Sequence, residues 1–402
     1  MFCLKLALQN GVKNTMKNNQ KILVTIGTFA AFFLFGTLDN LKGPAIPFII
    51  KELGINYSLM GNVLGLQYIG FFIATLIAGV AIFKFGLKAI LLAAFALSFS
   101  GIGLTAGLPV YGVLLLAFLL LGLGLGMLEI AGNSAIVLLH NKKKGMFLNL
   151  LGSFHGVGSM LVPIYAGALL SANISWRIVF SLCLIPIIMI ILYLTLIRFP
   201  KQEKTKADPI FTLAKSAFYP EMCWYYVAIG CYVAAEIGLA SWIVEYLYKI
   251  KGQPLFYSSI SLSIYFGLIT GGRILGSVIV DKIGHLPILF WAASGAILSL
   301  ALGIYGPSQL GFFLPVTGFF FSIIFPTITA SFTNIQKPNI EKYLGFLFTF
   351  AGIGGMIGPW LIGVLGDLLR LSNSISMLIV YSLLMMIALL ILQFEKNSSA
   401  KE

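Results

Sequence analysis

Residues 154–163 read FHGVGSMLVP, and residues 350–359 read FAGIGGMIGP, at an offset of 196 positions. Phe, two glycines, Met and Pro coincide in the two stretches, and the agreement continues at Gly167 and Gly363. Chance rarely gives such a match, even in apolar sequence. The chain therefore consists of two halves that repeat.

The composition places both halves in a membrane. Of the 402 residues, 59% are hydrophobic and 10% are charged, and the mean hydropathy is +0.99. Soluble domains carry about 25% charged residues. Twelve apolar segments have roughly the length needed to cross about 30 Å of hydrocarbon. They cover approximately residues 21–50, 58–83, 87–107, 110–136, 145–171, 175–198, 222–248, 257–280, 286–304, 308–334, 342–366 and 373–394.

Basic residues predict the orientation of these segments. An even number of spans puts both termini on one side of the membrane. If that side is the cytoplasm, it holds nineteen of the 26 Lys and Arg residues, the other side holds six, and Arg273 lies within a span. This bias is typical of inner-membrane proteins. It also explains the net charge of +13 without nucleic acid, because basic loops attract anionic lipids.

The longest polar connection is rich in Lys and follows the sixth segment. We therefore predict an all-α membrane protein of the cell (inner) membrane, with twelve transmembrane helices in two six-helix bundles. Parallel six-span repeats build the major facilitator fold. The predicted parts are a cytoplasmic tail (1–20), the N-terminal bundle (21–198), a cytoplasmic linker (199–221), the C-terminal bundle (222–394) and a second cytoplasmic tail (395–402).

From about residue 21 to residue 394, the chain resembles transporters of the major facilitator superfamily. Within that family it resembles the branch of fucose–proton symporters and related glucose transporters. Four stretches carry this second resemblance: Glu129-Ile-Ala-Gly-Asn133, Leu148-Asn149-Leu150 with Phe154 and Gly158, Tyr232-Val-Ala-Ala-Glu236 with Trp242 and Tyr246, and Gly272-Arg273-Ile-Leu-Gly276. The resemblance implies alternating-access transport of a monosaccharide coupled to protons.

Two regions depart from the pattern of the family. Its loop signature, Gly-x-x-x-Asp-Arg-x-Gly, has Phe83 in place of the Asp in the first half, whereas Asp281 and Lys282 keep the acidic and basic pair in the second. The first span matches least well, although Asp39 and Asn40 fall near the acidic position of the branch.

Glu129 and Asn133 are the leading candidates for solute binding. An ionised carboxylate within a span costs several kcal/mol unless it is paired, protonated or wetted, so such a residue indicates an ion or solute pathway. The two residues are four apart and therefore share a helix face. They offer a carboxylate and an amide to a hydroxylated ligand. The alternative is a protonated Glu129 that bonds to a neighbouring helix.

Asp39, Glu129 and His155 are the candidates for proton coupling. Asp39 lies about eighteen residues into the first span, before a Gly-Pro break. Alternatively, it is an interfacial residue near the outer mouth, because Lys42 follows it. His155 could relay a proton with Glu129, since histidine titrates near physiological pH. It could equally hydrogen-bond a backbone carbonyl exposed by nearby glycines.

Glu236, in the middle of the seventh span, has two interpretations. It either contacts the solute or pairs with Arg273 of the eighth span, and the sequence slightly favours solute contact. Arg273 and Asp281 are predicted to be structural charges. The remaining residues predicted to line the cavity are the aromatic side chains and amides Phe35, Tyr68, Tyr232, Trp242, Tyr265, Trp360, Gln67, Asn149 and Asn334.

Nothing in the sequence indicates an enzyme, a cofactor or a metal. His140, His155 and His285 are scattered without metal-ligand spacing, and no phosphate-binding Gly-x-x-x-x-Gly-Lys loop occurs. The energy source is then a gradient of protons, of sodium or of the solute itself. The expected partners are a small-molecule solute, these ions and the lipid bilayer, and the protein is expected to be a monomer.

The leading hypothesis is a proton-coupled importer of a monosaccharide or similar polar solute. The second is an exporter that expels a drug, siderophore or metabolite in exchange for protons. The third is a non-transporting sensor, which would need an appended soluble domain. The amides available near the carboxylates favour the importer, because a pocket for apolar compounds has no use for them.

Overall fold

The computed structural model of the protein describes residues 18–108, 110–199, 219–335 and 343–399, and these residues form helices and turns without a strand. Most of the predicted N-terminal tail and of the predicted linker lies outside these ranges. Twelve helical segments in the described part are long and apolar enough to cross a membrane, which confirms the predicted number and the all-α class. In chain order they are Asn18–Leu53, Tyr57–Phe85, Leu87–Gly107, Tyr111–Leu139, Asn141–Ser171, Trp176–Leu196, Glu221–Ile250, Leu255–Gly276, His285–Tyr305, Ser308–Thr333, Leu344–Leu369 and Leu371–Phe394.

Several spans are interrupted helices. The first consists of Asn18–Asn40 and Lys42–Leu53, which meet at Leu41. Pro44 follows this joint, and a proline has no N–H to donate to the carbonyl four residues earlier. The seventh span is Pro220–Glu245 continued by a π-helical turn, Tyr246–Ile250. The sixth span is divided into Trp176–Leu182 and Leu184–Leu196. The tenth span contains the helices Phe313–Phe321 and Ile324–Thr333. The twelfth is divided into Leu371–Ser374 and Met377–Ser399.

The chain divides into two compact units. The described residues of the first unit are 18–54 and 66–199. Those of the second unit are 55–65, 219–335 and 343–399. The start of the second span therefore belongs to the second unit and the rest of that span to the first. The sequence repeat does not indicate that the second span is divided between the two units in this way.

The repeated motif has the same structural role in each unit. In the first unit, a Cβ at Gly158 of the fifth span would overlap the carbonyl oxygen of Phe33 in the first span. In the second unit, a Cβ at Gly354 of the eleventh span would overlap the carbonyl oxygen of Gly230 in the seventh. Gly158 and Gly354 are equivalent positions of the repeat. Glycine is required at both because only its bare backbone lets the two helices cross this closely.

Candidate functional site

Asp39 lies beside the break in the first span and accepts two hydrogen bonds on one oxygen. The ammonium Nζ of Lys42 is 2.7 Å from Asp39 Oδ1, and the amide Nε2 of Gln67 is 2.9 Å from the same oxygen. Lys42 also donates to the backbone carbonyl of Asp39. The side chains of Lys42 and Asp39 are only 6% and 17% exposed. The sequence left open that Asp39 is an interfacial residue because Lys42 follows it, and in the structure these two side chains form a largely buried ion pair.

Gln67 and Tyr68 complete this cluster on the second span. Gln67 is 1% exposed, and its amide oxygen Oε1 has no hydrogen-bond partner among the described residues. The Lys42 ammonium lies 5.4 Å from the centre of the Tyr68 ring. One cluster therefore contains Lys42 and three residues that were predicted separately, Asp39 for proton coupling and Gln67 and Tyr68 for solute binding.

Glu129 and Asn133 lie side by side on the fourth span, as their spacing predicts. The Asn133 amide Nδ2 donates to Glu129 Oε1 at 2.9 Å and to the Glu129 backbone carbonyl at 2.8 Å. Both side chains are half-buried. The contact fixes the orientation of the carboxylate on this helix face. The role of the two residues in binding stays a prediction.

His155 lies on the fifth span against the first. Its ring meets the Phe35 ring edge-on, with 4.5 Å between centres. Its backbone carbonyl accepts from the Ser159 hydroxyl at 3.0 Å. Asn149, six residues before His155 on the same helix, is exposed. Neither predicted role of His155 is decided by these contacts.

Glu236 of the second unit is half-buried, and its backbone carbonyl accepts from the Tyr265 hydroxyl at 3.1 Å. The salt bridges of the described residues join Lys42 to Asp39 and Arg177 to Glu52. Within this part of the chain, Glu236 and Arg273 therefore form no direct salt bridge. The side chain of Asp281 lies outside the described part of the structure.

Three predicted cavity aromatics are fully buried within the second unit: Tyr232, Trp242 and Tyr265. Tyr232 donates to the carbonyl of Phe321 at 3.0 Å, and the indole N–H of Trp242 donates to the carbonyl of Pro359 at 2.9 Å. These bonds give each ring a packing role in this structure.

The two remaining predictions in this unit lie at its surface. Trp360 is 39% exposed and donates to the Asn62 side-chain oxygen at 2.9 Å. Asn334 is exposed and lies 3.4 Å from His285 Nδ1. Trp360 is thus partly exposed in this structure, whereas Trp242 is fully buried, and a role of either residue in binding stays a prediction.

Sequence reasoning missed a second cluster, around the start of the second span. Asp367 of the eleventh span accepts from the backbone N–H groups of Tyr57 and Ser58, at 3.0 Å and 2.7 Å. The Tyr57 hydroxyl donates to Glu245 Oε1 at 3.2 Å. The one available signal was Glu245 itself, an acidic residue before the predicted end of an apolar segment.

Among the described residues outside the spans, His140 and Lys251 have shifted pKa values. Burial, and then the positive charge of Lys21, lower the pKa of His140 from its usual 6.5. The His140 ring nitrogen Nε2 is 2.8 Å from the Thr25 hydroxyl. Burial also lowers the pKa of Lys251, whose amino group donates to the carbonyls of Ile304 and Gly306. In the described residues, no cluster of His, Cys, Asp and Glu could hold a metal ion.

Comparison with known proteins gives relatives over most of the chain. A Helicobacter pylori (strain J99 / ATCC 700824) protein named "Putative glucose/galactose transporter" is 27% identical over 414 residues, which cover 96% of this chain and 99% of that protein. A Citrobacter koseri protein named "Protein TsgA homolog" is 25% identical over 352 residues, covering 85% and 87%.

Solved structures share the fold at low identity. The Escherichia coli fucose:proton symporter FucP superposes with a TM-score of 0.64 at 20% identity and covers 93% of this chain and 99% of its own. The D-xylose-proton symporter gives 0.73 at 16% identity, covering 92% and 97%. The nucleoside transporter NupG gives 0.75 at 15% identity, covering 93% and 99%.

The sequence profile of the Major Facilitator Superfamily matches residues 28–335. The matched stretch is more than half of the chain, and the members of this family are transporters rather than enzymes. This multi-pass membrane protein belongs to the Major Facilitator Superfamily.

Proposed function

We propose that this transporter carries a monosaccharide or a similar small hydroxylated solute into the cell together with protons. The Helicobacter pylori relative, whose name gives glucose and galactose, supports the solute class over nearly the whole chain. The names of both solved sugar symporters include the proton, which supports the proposal that protons are the coupling ion here.

The observation that carries the proposal is the paired carboxylate and amide of Glu129 and Asn133. Their contact of 2.9 Å holds both groups on one helix face. A carboxylate accepts hydrogen bonds and an amide both donates and accepts, so together they match neighbouring hydroxyls of a sugar. An apolar compound would cover these groups without hydrogen-bonding to them, which is costly in a membrane protein.

Asp39 is the proposed proton carrier. Protonation of Asp39 would break its ion pair with Lys42 and so change the local structure. The ion pair exists only while Asp39 is ionised. A proton on Asp39 removes the negative charge that holds the Lys42 ammonium, which is then free to take a new hydrogen-bond acceptor. Proton binding and rearrangement around the break in the first span would thereby be one event.

We further propose the membrane arrangement given by the basic loops: an inner-membrane monomer with both termini in the cytoplasm. In this orientation the first span runs outward. Asp39 then lies in its outer half, on the side from which protons enter.

The test is uptake of labelled glucose, galactose, fucose and xylose by proteoliposomes with a proton gradient directed inward. We expect uphill accumulation of at least one of these sugars. Asp39→Asn should abolish that accumulation and leave solute exchange measurable, because exchange needs no net proton movement. Glu221→Gln, at the start of the seventh span, is the matched control and should transport normally.

Accumulation at the wild-type rate by Asp39→Asn would remove Asp39 from the mechanism. A thermal-shift screen of the purified protein against sugars, amino acids and drugs provides the second readout. Stabilisation by drugs and by no sugar would reject the sugar importer in favour of the exporter.

A further inference from the structure

Glu245 is a buried carboxyl that the proposed coupling mechanism does not use. It ends the regular helix of the seventh span and is 1% exposed. Its oxygen Oε1 accepts the Tyr57 hydroxyl at 3.2 Å, while Oε2 has no hydrogen-bond partner among the described residues. Glu245 also takes part in no salt bridge of the described residues. An ionised carboxylate in this setting would have the Tyr57 hydroxyl as a donor but no cation in direct contact, and burial disfavours such a charge.

Tyr57, the hydrogen-bond partner of Glu245, is itself held in place by its neighbours. Asp367 binds the backbone N–H groups of both Tyr57 and Ser58, which fixes the start of the helix that carries the phenol. The Tyr57 ring also packs edge-on against the Trp242 ring, with 5.8 Å between centres. Asp367 and Trp242 therefore hold Tyr57, whose hydroxyl donates to the Glu245 carboxyl group.

The backbone changes its winding directly after this residue. Tyr246–Ile250 is a π-helical turn, and the N–H of Lys251 bonds to the carbonyl of Tyr246 at 3.1 Å. Single π turns within α-helices occur frequently at functional sites. This feature is independent of the hydrogen-bond pattern of Glu245 and points to the same location.

In the described parts of the chain, few charged or titratable groups face Glu245. They are the phenol of Tyr57 on the second span and Lys249, one turn later on its own span. Asp367 of the eleventh span interacts electrostatically with Tyr57. Lys249 is exposed, so water screens its positive charge.

We propose that Glu245 is a second proton-binding site of the transporter, in the second unit, with the Tyr57 hydroxyl as its hydrogen-bond partner. A proton from the outer water binds Oε2 and converts the carboxylate into a neutral acid, and the same proton leaves when the site is exposed to water again. The inference rests on the proposed coupling to protons and the proposed orientation, in which the end of the seventh span faces outward.

The test is infrared difference spectroscopy of the full-length protein in lipid, titrated with pH. The carbonyl stretch of a protonated carboxylic acid is separate from the bands of carboxylates and amides. We expect the wild-type protein to gain such a band as pH falls. Glu245→Gln, which has nearly the same shape, should lose one component of the band. Glu221→Gln, on the same span, should keep the whole component that Glu245→Gln removes.

A second variant guards against a folding artefact. Tyr57→Phe keeps the acid and removes the phenol, so the component should persist and titrate at a different pH. An unchanged midpoint in Tyr57→Phe, or the same pH-dependent band in Glu245→Gln and wild type, would overturn the proposal. A Glu245 component that stays constant over the whole pH range would also overturn it, because such a group exchanges no proton.

Uptake measurements separate this inference from the proposed function. The infrared titration requires neither solute nor gradient. If sugar uptake proves independent of the proton gradient while Glu245→Gln still removes the band, the proposed function fails and the proton-binding site stands.

Discussion

The buried ion pair of Lys42 and Asp39 leads to a quantitative prediction about stability. Their side chains are 6% and 17% exposed, and Nζ lies 2.7 Å from Oδ1. Lys42→Met keeps most of the apolar stem and removes the ammonium. Asp39 then retains the amide of Gln67 as a donor to the same oxygen.

Removal of one partner from a buried ion pair costs about 3–5 kcal/mol, because the other charge stays buried alone. The amide of Gln67 and the residual exposure of Asp39 soften this cost, so we expect about 3 kcal/mol for Lys42→Met. Asp39→Asn leaves Lys42 alone and should cost about as much. The double variant buries no charge and should lose only about 1 kcal/mol.

The measurement is the free energy of unfolding in mixed micelles for the four proteins of this double-mutant cycle. The control cycle uses Arg177→Met and Glu52→Gln, because that salt bridge has partners 19% and 44% exposed. Because water screens this more exposed pair more strongly, we expect a smaller coupling, of about 1 kcal/mol or less. If the losses at Lys42 and Asp39 simply add, the pair is not the buried, charged contact described above.

Three further predictions concern binding, packing and pH. Glu129→Gln and Asn133→Ala should each weaken solute binding by about 1–3 kcal/mol, the cost of leaving a buried polar partner unpaired. Unchanged affinity by calorimetry in both variants would place the site elsewhere. Gly158→Ala should lower the melting temperature because its Cβ overlaps a backbone carbonyl, whereas Gly152→Ala on the same helix has open space. Equal melting temperatures would contradict the close helix crossing. His140 has a lowered pKa, so the unfolded chain binds its proton more readily, and stability should fall as pH drops below 6.5. His140→Gln should flatten that part of the melting-temperature profile, and an unchanged profile would show that His140 does not contribute to it.

Hydropathy and spacing predict much of this architecture. The twelve spans follow from the length of the apolar stretches alone, since a stretch of this length is stable as a helix across the hydrocarbon core of the bilayer. The contact between Glu129 and Asn133 follows from helical periodicity, because both residues lie on one helix. Each of these inferences uses information within a single segment.

What the sequence did not reveal depends on contacts between segments. The sequence leaves Asp39 either as a proton carrier or as an interfacial residue beside Lys42, and only the structure shows that Gln67 of the second span donates to its carboxylate. Glu245 reads as the polar end of a span, and Tyr57 reaches it from 188 positions away in sequence. Periodicity likewise groups Trp242 with other aromatics but does not reveal that Pro359 is its hydrogen-bond partner.

The glycine crossings limit how the two repeats can diverge. Gly158 and Gly354 meet backbone atoms of Phe33 and Gly230, and a backbone atom cannot be exchanged for a smaller one by mutation. A large side chain elsewhere in the core can be accommodated by a smaller neighbour, but here no compensating substitution exists. Chimeras that exchange the fifth and eleventh spans should therefore keep both glycines, even where every other position is taken from the opposite half.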